Sequence, residues 1–187
     1  EPEKNPSYKI TVSGPSAAVT ADTVTFNFAL TDVVDMTGIL SVNFAVPYNA
    51  SALTFVSMTH NAPDGWTVSA NAADGTVKVF AADDTVAAPS ADLTISLTFT
   101  VNADFSGDVT IAASNVEGSD DQGAYLAGTG SETTIAVTAL EFALTADSAF
   151  TLNDGILVLP LNTTADSVKA AFTSDVTVAV AEGASYV

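Results

Sequence analysis

The chain has 187 residues, 48% of them hydrophobic and 14% charged, which suits one core-forming domain plus at most a small second module and excludes disorder throughout. Twenty-two acidic residues against four lysines, no arginine and a formal charge of −18 exclude a nucleic-acid backbone or an anionic membrane surface as the ligand. No apolar run exceeds the four residues of Ile156-Leu157-Val158-Leu159, where a spanning helix needs about 20, so no membrane insertion is expected; without cysteine there is no disulfide and no thiolate chemistry.

The opening Glu1-Pro2-Glu3-Lys4-Asn5-Pro6 has no charged-then-apolar pattern and reads as the start of a processed or excised segment rather than a signal peptide. Tyr8 to Val12 is the first strand candidate. Beyond it, Val24, Phe26, Phe28 and Leu30 alternate with Thr25, Asn27, Ala29 and Thr31, and Leu40, Val42, Phe44, Val46 and Tyr48 alternate with Ser41, Asn43, Ala45 and Pro47. Two-residue alternation places successive side chains on opposite faces of a sheet, so both segments predict half-buried strands. Leu53 to Met58, Trp66 to Ala70 and Thr76 to Ala81 follow, with Asp74-Gly75 predicting a tight hairpin because its glycine tolerates positive φ.

From Asp92 to Val101 every odd position is large and apolar and every even one is Thr, Ser or Asp, the pattern of a strand with one buried and one wet face. Val109 to Ala113 and Thr133 to Thr138 complete a set of nine strands. Turn sequences such as Pro63-Asp64-Gly65 and Phe105-Ser106-Gly107-Asp108 separate them at spacings suited to an antiparallel sandwich.

The pattern changes after residue 138. Leu140 to Leu144, Ile156 to Leu161 and Val176 to Val180 read as strands. Thr163 to Phe172 predicts the one helix, with Thr163 and Asp166 as a capping box and Val168, Ala171 and Phe172 on a shared face. Residues 1–138 are therefore expected to form a β-sandwich and 139–187 a small α+β module, itself incomplete if the chain is a piece of a longer protein.

With these strands placed, Gly38 to Val56 closely resembles the cohesin pattern, in which an alternating strand ends in Phe-x-x-x-Tyr-Asp, followed by a short turn and Leu-x-Phe-Val; here the residues are Phe44, Tyr48, Leu53, Phe55 and Val56. Gly75 to Thr85, Leu93 to Val101 leading to Gly107, and Gly130 to Ile135 fit in the same order, so the resemblance spans about residues 8–138. One departure is Asn49, where the pattern has Asp. The resemblance implies a nine-stranded jelly-roll β-sandwich, a fold shared with some carbohydrate-binding modules, and a non-catalytic assembly role: cohesins hold dockerin-bearing proteins on scaffolds of cellulosome type. It also implies an extracellular or bacterial cell-surface location. The tail, especially Asn162 to Phe172, is similar to a small module found near dockerins and other surface modules.

Residues that carry chemistry are sparse. His60 is the sole histidine, it follows a strand end, and no Gly-x-Ser-x-Gly elbow is present to build a Ser-His-Asp arrangement, so no catalytic residue is expected. Most acidic residues fall in turns, where Asp serves the backbone. Ser114 to Gly123 gathers hard oxygen ligands in what reads as a solvated acidic loop; no cofactor is expected, and Glu117, Asp120 and Asp121 are the candidates if Ca²⁺ binds.

If Val77, Val79 and Ala81 point inward, Lys78 and Phe80 point outward, and a large aromatic on a wet face is the kind of anchor that interfaces use. Ser41, Asn43 and Ala45 form the outward set of the strand placed beside it. The resemblance implies that these two strands supply part of the dockerin-binding face, and it carries over Ser41, Asn43, Lys78, Phe80 and Asp83 as partner-binding positions. The alternatives are a carbohydrate-binding module, with polysaccharide as partner, or a structural adhesin-type module of a bacterial surface protein; sugar platforms present rows of exposed aromatics, and with one tryptophan and four tyrosines no such row is visible.

Overall fold

Alternation is realised along every long strand: each inward set is apolar and nearly every outward set is small or hydroxylated, so each sheet has one face that must leave water. The computed structural model describes residues 4–90 and 92–139, and further along the chain residues 151–153, 156–158 and 167. The chain divides into two compact units, Glu1–Ala139 and Leu140–Val187.

The first unit is a jelly-roll-type β-sandwich of three sheets. Its strands are β1 (Ser7–Ser13), β2 (Ala17–Val19), β3 (Thr23–Val34), β4 (Ile39–Pro47), β5 (Leu53–His60), β6 (Thr67–Ala73), β7 (Thr76–Ala82), β8 (Thr94–Val101), β9 (Gly107–Ala112), β10 (Ser114–Asp120), β11 (Tyr125–Ala127), β12 (Thr129–Gly130) and β13 (Glu132–Thr138). One large sheet has the order β12-β1-β3-β8-β5, the other β11-β10-β4-β7-β6, and a smaller one β2-β13-β9. The chain runs from β9 into β10 and from β12 into β13 with a single residue between, so the small sheet joins the two large ones along one side.

The nine strands expected from the sequence are all present, but among the described residues of the first unit their count is corrected to thirteen by β2, β10, β11 and β12. Three of these four hold two or three residues, too few to show a period. β10 was expected as an acidic loop. Its pairing with β4 shifts register between Ser114 and Glu117, with Asn115 at a φ of 51°, and Val116 is its one buried hydrophobic residue. A bulge interrupts the two-residue period by one residue, which is why the alternation is not legible there.

Phe26, Phe28, Leu30, Leu97 and Phe99 from the first sheet meet Val42, Phe44, Val46, Val77 and Val79 from the second, all buried. Phe28 and Phe44 stack across the interface with centroids 5.4 Å apart, and Phe99 is met edge-on by Phe26, Tyr48 and Phe55 at 5.2 to 6.1 Å, the arrangement that ring quadrupoles favour. Asp74 and Gly75 both take positive φ, 50° and 70°, as a type I′ turn between β6 and β7 requires.

The outer face of the first sheet is a field of hydroxyls. Strand register aligns Thr23, Thr100 and Thr54 in one row, Thr25, Thr98 and Ser57 in the next, and Asn27, Ser96 and Thr59 in a third. Neighbours satisfy one another: Thr25 and Thr98 hydroxyls lie 3.0 Å apart, and Ser96 donates to the Asn27 side-chain oxygen at 2.7 Å.

In the second unit, β14 (Thr151–Asn153) and β15 (Ile156–Val158) pair antiparallel with Leu152 opposite Leu157. β15 falls within the strand expected at Ile156–Leu161. The expected strands at 140–144 and 176–180 lie outside the described residues, as does the helix at 163–172 except for Ser167, which is helical. No helix among the described residues is long and apolar enough to cross a membrane.

Candidate functional site

β4 and β7 lie side by side in register, Asn43 opposite Phe80 and Ala45 opposite Lys78. β10 flanks β4 on one side, with Glu117 opposite Asn43, and β6 flanks β7 on the other, with Ser69 opposite Phe80 and Asn71 opposite Lys78. The pleat sends Val77, Val79 and Ala81 into the core and leaves Lys78 and Phe80 exposed. Phe80 keeps 47% of its surface in water. Its neighbours are too short to cover it, so a ring whose burial would be favourable stands on a polar ground.

Phe80 lines two shallow depressions. One, of about 450 Å³, also has Asn43, Ala45, Lys78, Asn115 and Glu117 in its wall. The other, of about 420 Å³, lies toward Gly65, Thr67, Asp83 and Asp84. Asn43, Lys78 and Phe80 are thus brought together on one face. Ser41 is half-buried on the same strand, its hydroxyl 2.8 Å from that of Ser119.

Asp83 lies past the end of β7, and one carboxylate oxygen accepts from the Thr85 amide at 2.7 Å, the Val86 amide at 2.7 Å and the Thr85 hydroxyl at 2.9 Å. These donors, the Thr85 amide first, hold its carboxyl below the usual carboxylate range. The turn they shape presents the Val86 carbonyl, which accepts the Trp66 indole N–H at 2.8 Å. Trp66 itself is buried. Asp83 thereby ties a loop to the sandwich end at the margin of the face.

Asp120 accepts from the amides of Gln122 and Ala124 at 2.9 and 2.8 Å. Asp121 accepts from the Thr37 hydroxyl at 2.6 Å and the Thr37 amide at 2.7 Å, and these two bonds, the hydroxyl first, hold its carboxyl low. Glu117 projects from β10 toward the Phe80 face instead. The three Ca²⁺ candidates therefore do not converge, and among the described residues no group of three or more His, Asp or Glu is placed to hold a metal ion.

His60 is exposed, with Nδ1 accepting the Ala62 amide at 3.3 Å. The depression beside it is walled by Asn27, Thr59, Asn61, Thr94 and Ser96, without a carboxylate to orient an imidazole. Asn49, the departure from the cohesin pattern, accepts the Ser51 amide at 3.0 Å and the Ser51 hydroxyl at 2.6 Å. An aspartate oxygen would make the same two bonds, so the turn before β5 survives the exchange.

Beneath this face lies a residue that the sequence marked only as part of the first strand. Tyr8 is 2% exposed and its hydroxyl has no hydrogen-bond partner among the described residues. Burial pushes its phenol pKa up, and Tyr125 and Glu117 add to the rise. Gly118 makes room above it, because a Cβ there would run into the Ser41 carbonyl and reach within 3.0 Å of the Tyr8 hydroxyl. Glu117, Ser69, Asn71 and Asn115 were missed as members of the face. Extending the alternation of Trp66–Ala70 by one residue would have found Asn71; Asn115 and Glu117 depend on the bulge.

Solved structures similar to this chain include three that concern cohesins. The cohesin module of a family 33 glycoside hydrolase from Clostridium perfringens is 12% identical with a TM-score of 0.63, covering 74% of this chain and 100% of that one. A chain of the CaDoc0917–CaCohA2 complex, a cohesin–dockerin complex, is 19% identical with a TM-score of 0.59, covering 71% and 100%. A non-cellulosomal cohesin from the hyperthermophilic archaeon Archaeoglobus fulgidus is 13% identical with a TM-score of 0.54, covering 71% and 92%. No protein-family model and no curated protein sequence matches the chain. The likeness is one of fold: this chain carries a cohesin-type β-sandwich.

Proposed function

We propose that the first unit is a non-catalytic docking module that holds a dockerin-bearing protein through the outer face of β10, β4, β7 and β6, in an extracellular or cell-surface assembly. The observation that carries this reading is Phe80, half in water on the outer face of this sheet and bordered by Asn43, Lys78 and Glu117. A buried aromatic ringed by polar contacts is the usual energetic centre of a protein interface. Ser41 and Asp83 border the same face. The opposite outer face supports the choice by contrast, since Thr25 bonds to Thr98 and Ser96 to Asn27 across it and among the described residues it presents no exposed aromatic.

A calorimetric titration against a panel of dockerin modules, run beside soluble and insoluble polysaccharides, tests the proposal. Saturable binding to a dockerin, lost on changing Phe80, is the expected result. Binding to glycans alone would replace this reading with a carbohydrate-binding one. Turnover of any glycan would overturn both.

A further inference from the structure

The three sheets leave six edges: β12 and β5, β11 and β6, β2 and β9. A bare edge exposes a row of unpaired peptide groups and invites another strand, so folds shorten, bend or charge their edges. β12 has two residues, and β11 and β2 have three each. β9 opens on Gly107 at a φ of 126° followed by Asp108. β5 is broken by a register shift between Phe55 and Ser57.

β6 has none of these devices. Its seven residues, Thr-Val-Ser-Ala-Asn-Ala-Ala, contain no charge and no proline, and they pair with β7 from Thr67–Ala82 to Ala73–Thr76 without a shift. Successive peptide groups of a strand point to opposite sides, so half of those in β6 face away from β7. The core is also unfinished here: Val77, Val79 and Ala81 of β7 are buried, whereas Val68, Ala70 and Ala72 beside them are only half-buried.

We propose that the edge of β6, which pairs with no further strand among the described residues, accepts an extended, basic segment of another protein as an added strand. Its alternate apolar side chains would cover Val68, Ala70 and Ala72, and its main chain would complete the hydrogen bonding of β6. Charge selects the occupant. Asp64 and Asp74 stand exposed at the two ends of the strand, with Asp83 beside Gly65 and Asp84 next to it. A second copy of this chain brings another −18 and is repelled, whereas Lys or Arg at the ends of an incoming strand meets these carboxylates. The inference does not depend on what the Phe80 face holds.

The test uses the whole chain and a short alternating Lys/Val peptide matched to β6 in length, read by backbone amide hydrogen exchange. Alternate amides between Thr67 and Ala73 are expected to slow by about tenfold or more when the peptide is added. A Glu/Val peptide, or the Lys/Val peptide with a central proline, should leave them unchanged, and Phe80→Ala should still respond. Ala70→Pro and Asn71→Pro remove amides on opposite sides of β6. The one that spares the β6–β7 ladder should keep the melting temperature and lose the peptide response. Slow exchange of the outward amides in the chain alone would mean that the chain itself or a second copy covers the edge, and would overturn the proposal. So would equal binding of the three peptides, or protection that maps elsewhere.

Discussion

Val79 and Phe80 are neighbours in sequence with opposite environments, 2% and 47% exposed, and exchanging each for alanine separates fold from face. Val79→Ala removes two buried methyl groups opposite Phe44; at about 0.8 kcal/mol each plus a term for the void, the cost is about 2 to 3 kcal/mol. For a sandwich of this size that is roughly 6 to 10 °C in melting temperature. Phe80→Ala gives up contacts that were already half wet, about 1 kcal/mol. Against a dockerin that seats on Phe80 it should instead cost about 1 to 3 kcal/mol of binding, roughly 5- to 150-fold in Kd. Thermal melts followed by circular dichroism give the first pair of numbers and calorimetry the second. A one-residue slip in β7 would exchange the two roles. Equal losses of melting temperature, with no selective loss of affinity in Phe80→Ala, would refute both the register and the assignment of the face.

Tyr8→Phe should stabilise the fold by about 1 kcal/mol in denaturant unfolding, because the buried hydroxyl it removes has no partner among the described residues. The raised phenol pKa means that the folded state holds its proton after the unfolded chain releases it, so stability is full below about pH 10, falls as pH rises beyond it, and should fall less steeply in Tyr8→Phe. Asp83 has the opposite sign. Its lowered pKa gives stability that is present above the ordinary carboxylate range and lost as pH falls through the depressed value; Asp83→Ala should loosen the Val86 carbonyl from Trp66 and shift the emission of that single tryptophan to the red at neutral pH. Gly118→Ala should cost about 2 to 3 kcal/mol in the same unfolding assay, since its methyl meets the Ser41 carbonyl across the β4–β10 ladder.

The sandwich was legible because strand alternation is a local code. Phe26, Phe28 and Leu30, or Ile95, Leu97 and Phe99, declare their inner face without knowledge of any partner, and each of the nine strands expected before residue 139 is in the fold. The same code placed Phe80 and Lys78 outward and Val79 inward. It also placed Asn43 on the wet side of β4, but not that Asn43 would lie opposite Phe80, which is a matter of pairing between strands distant in sequence.

What alternation could not reveal was set by contacts across the fold. β10 reads as a polar loop because Val116 is its one buried hydrophobic residue and a bulge shifts its register; only pairing with β4 makes it a strand and brings Glu117 to the Phe80 face. Asp120 and Asp121 have the composition of metal ligands and Asp83 that of a partner-binding residue, yet one oxygen of each is taken by nearby donors, from Gln122 and Ala124, Thr37, and Thr85 and Val86 respectively. Composition supplies the carboxylates, and the turn geometry decides what they bind. The bare edge of β6 belongs to the same class of property: its seven residues are an ordinary strand in sequence, and being last in the sheet is a fact of topology alone.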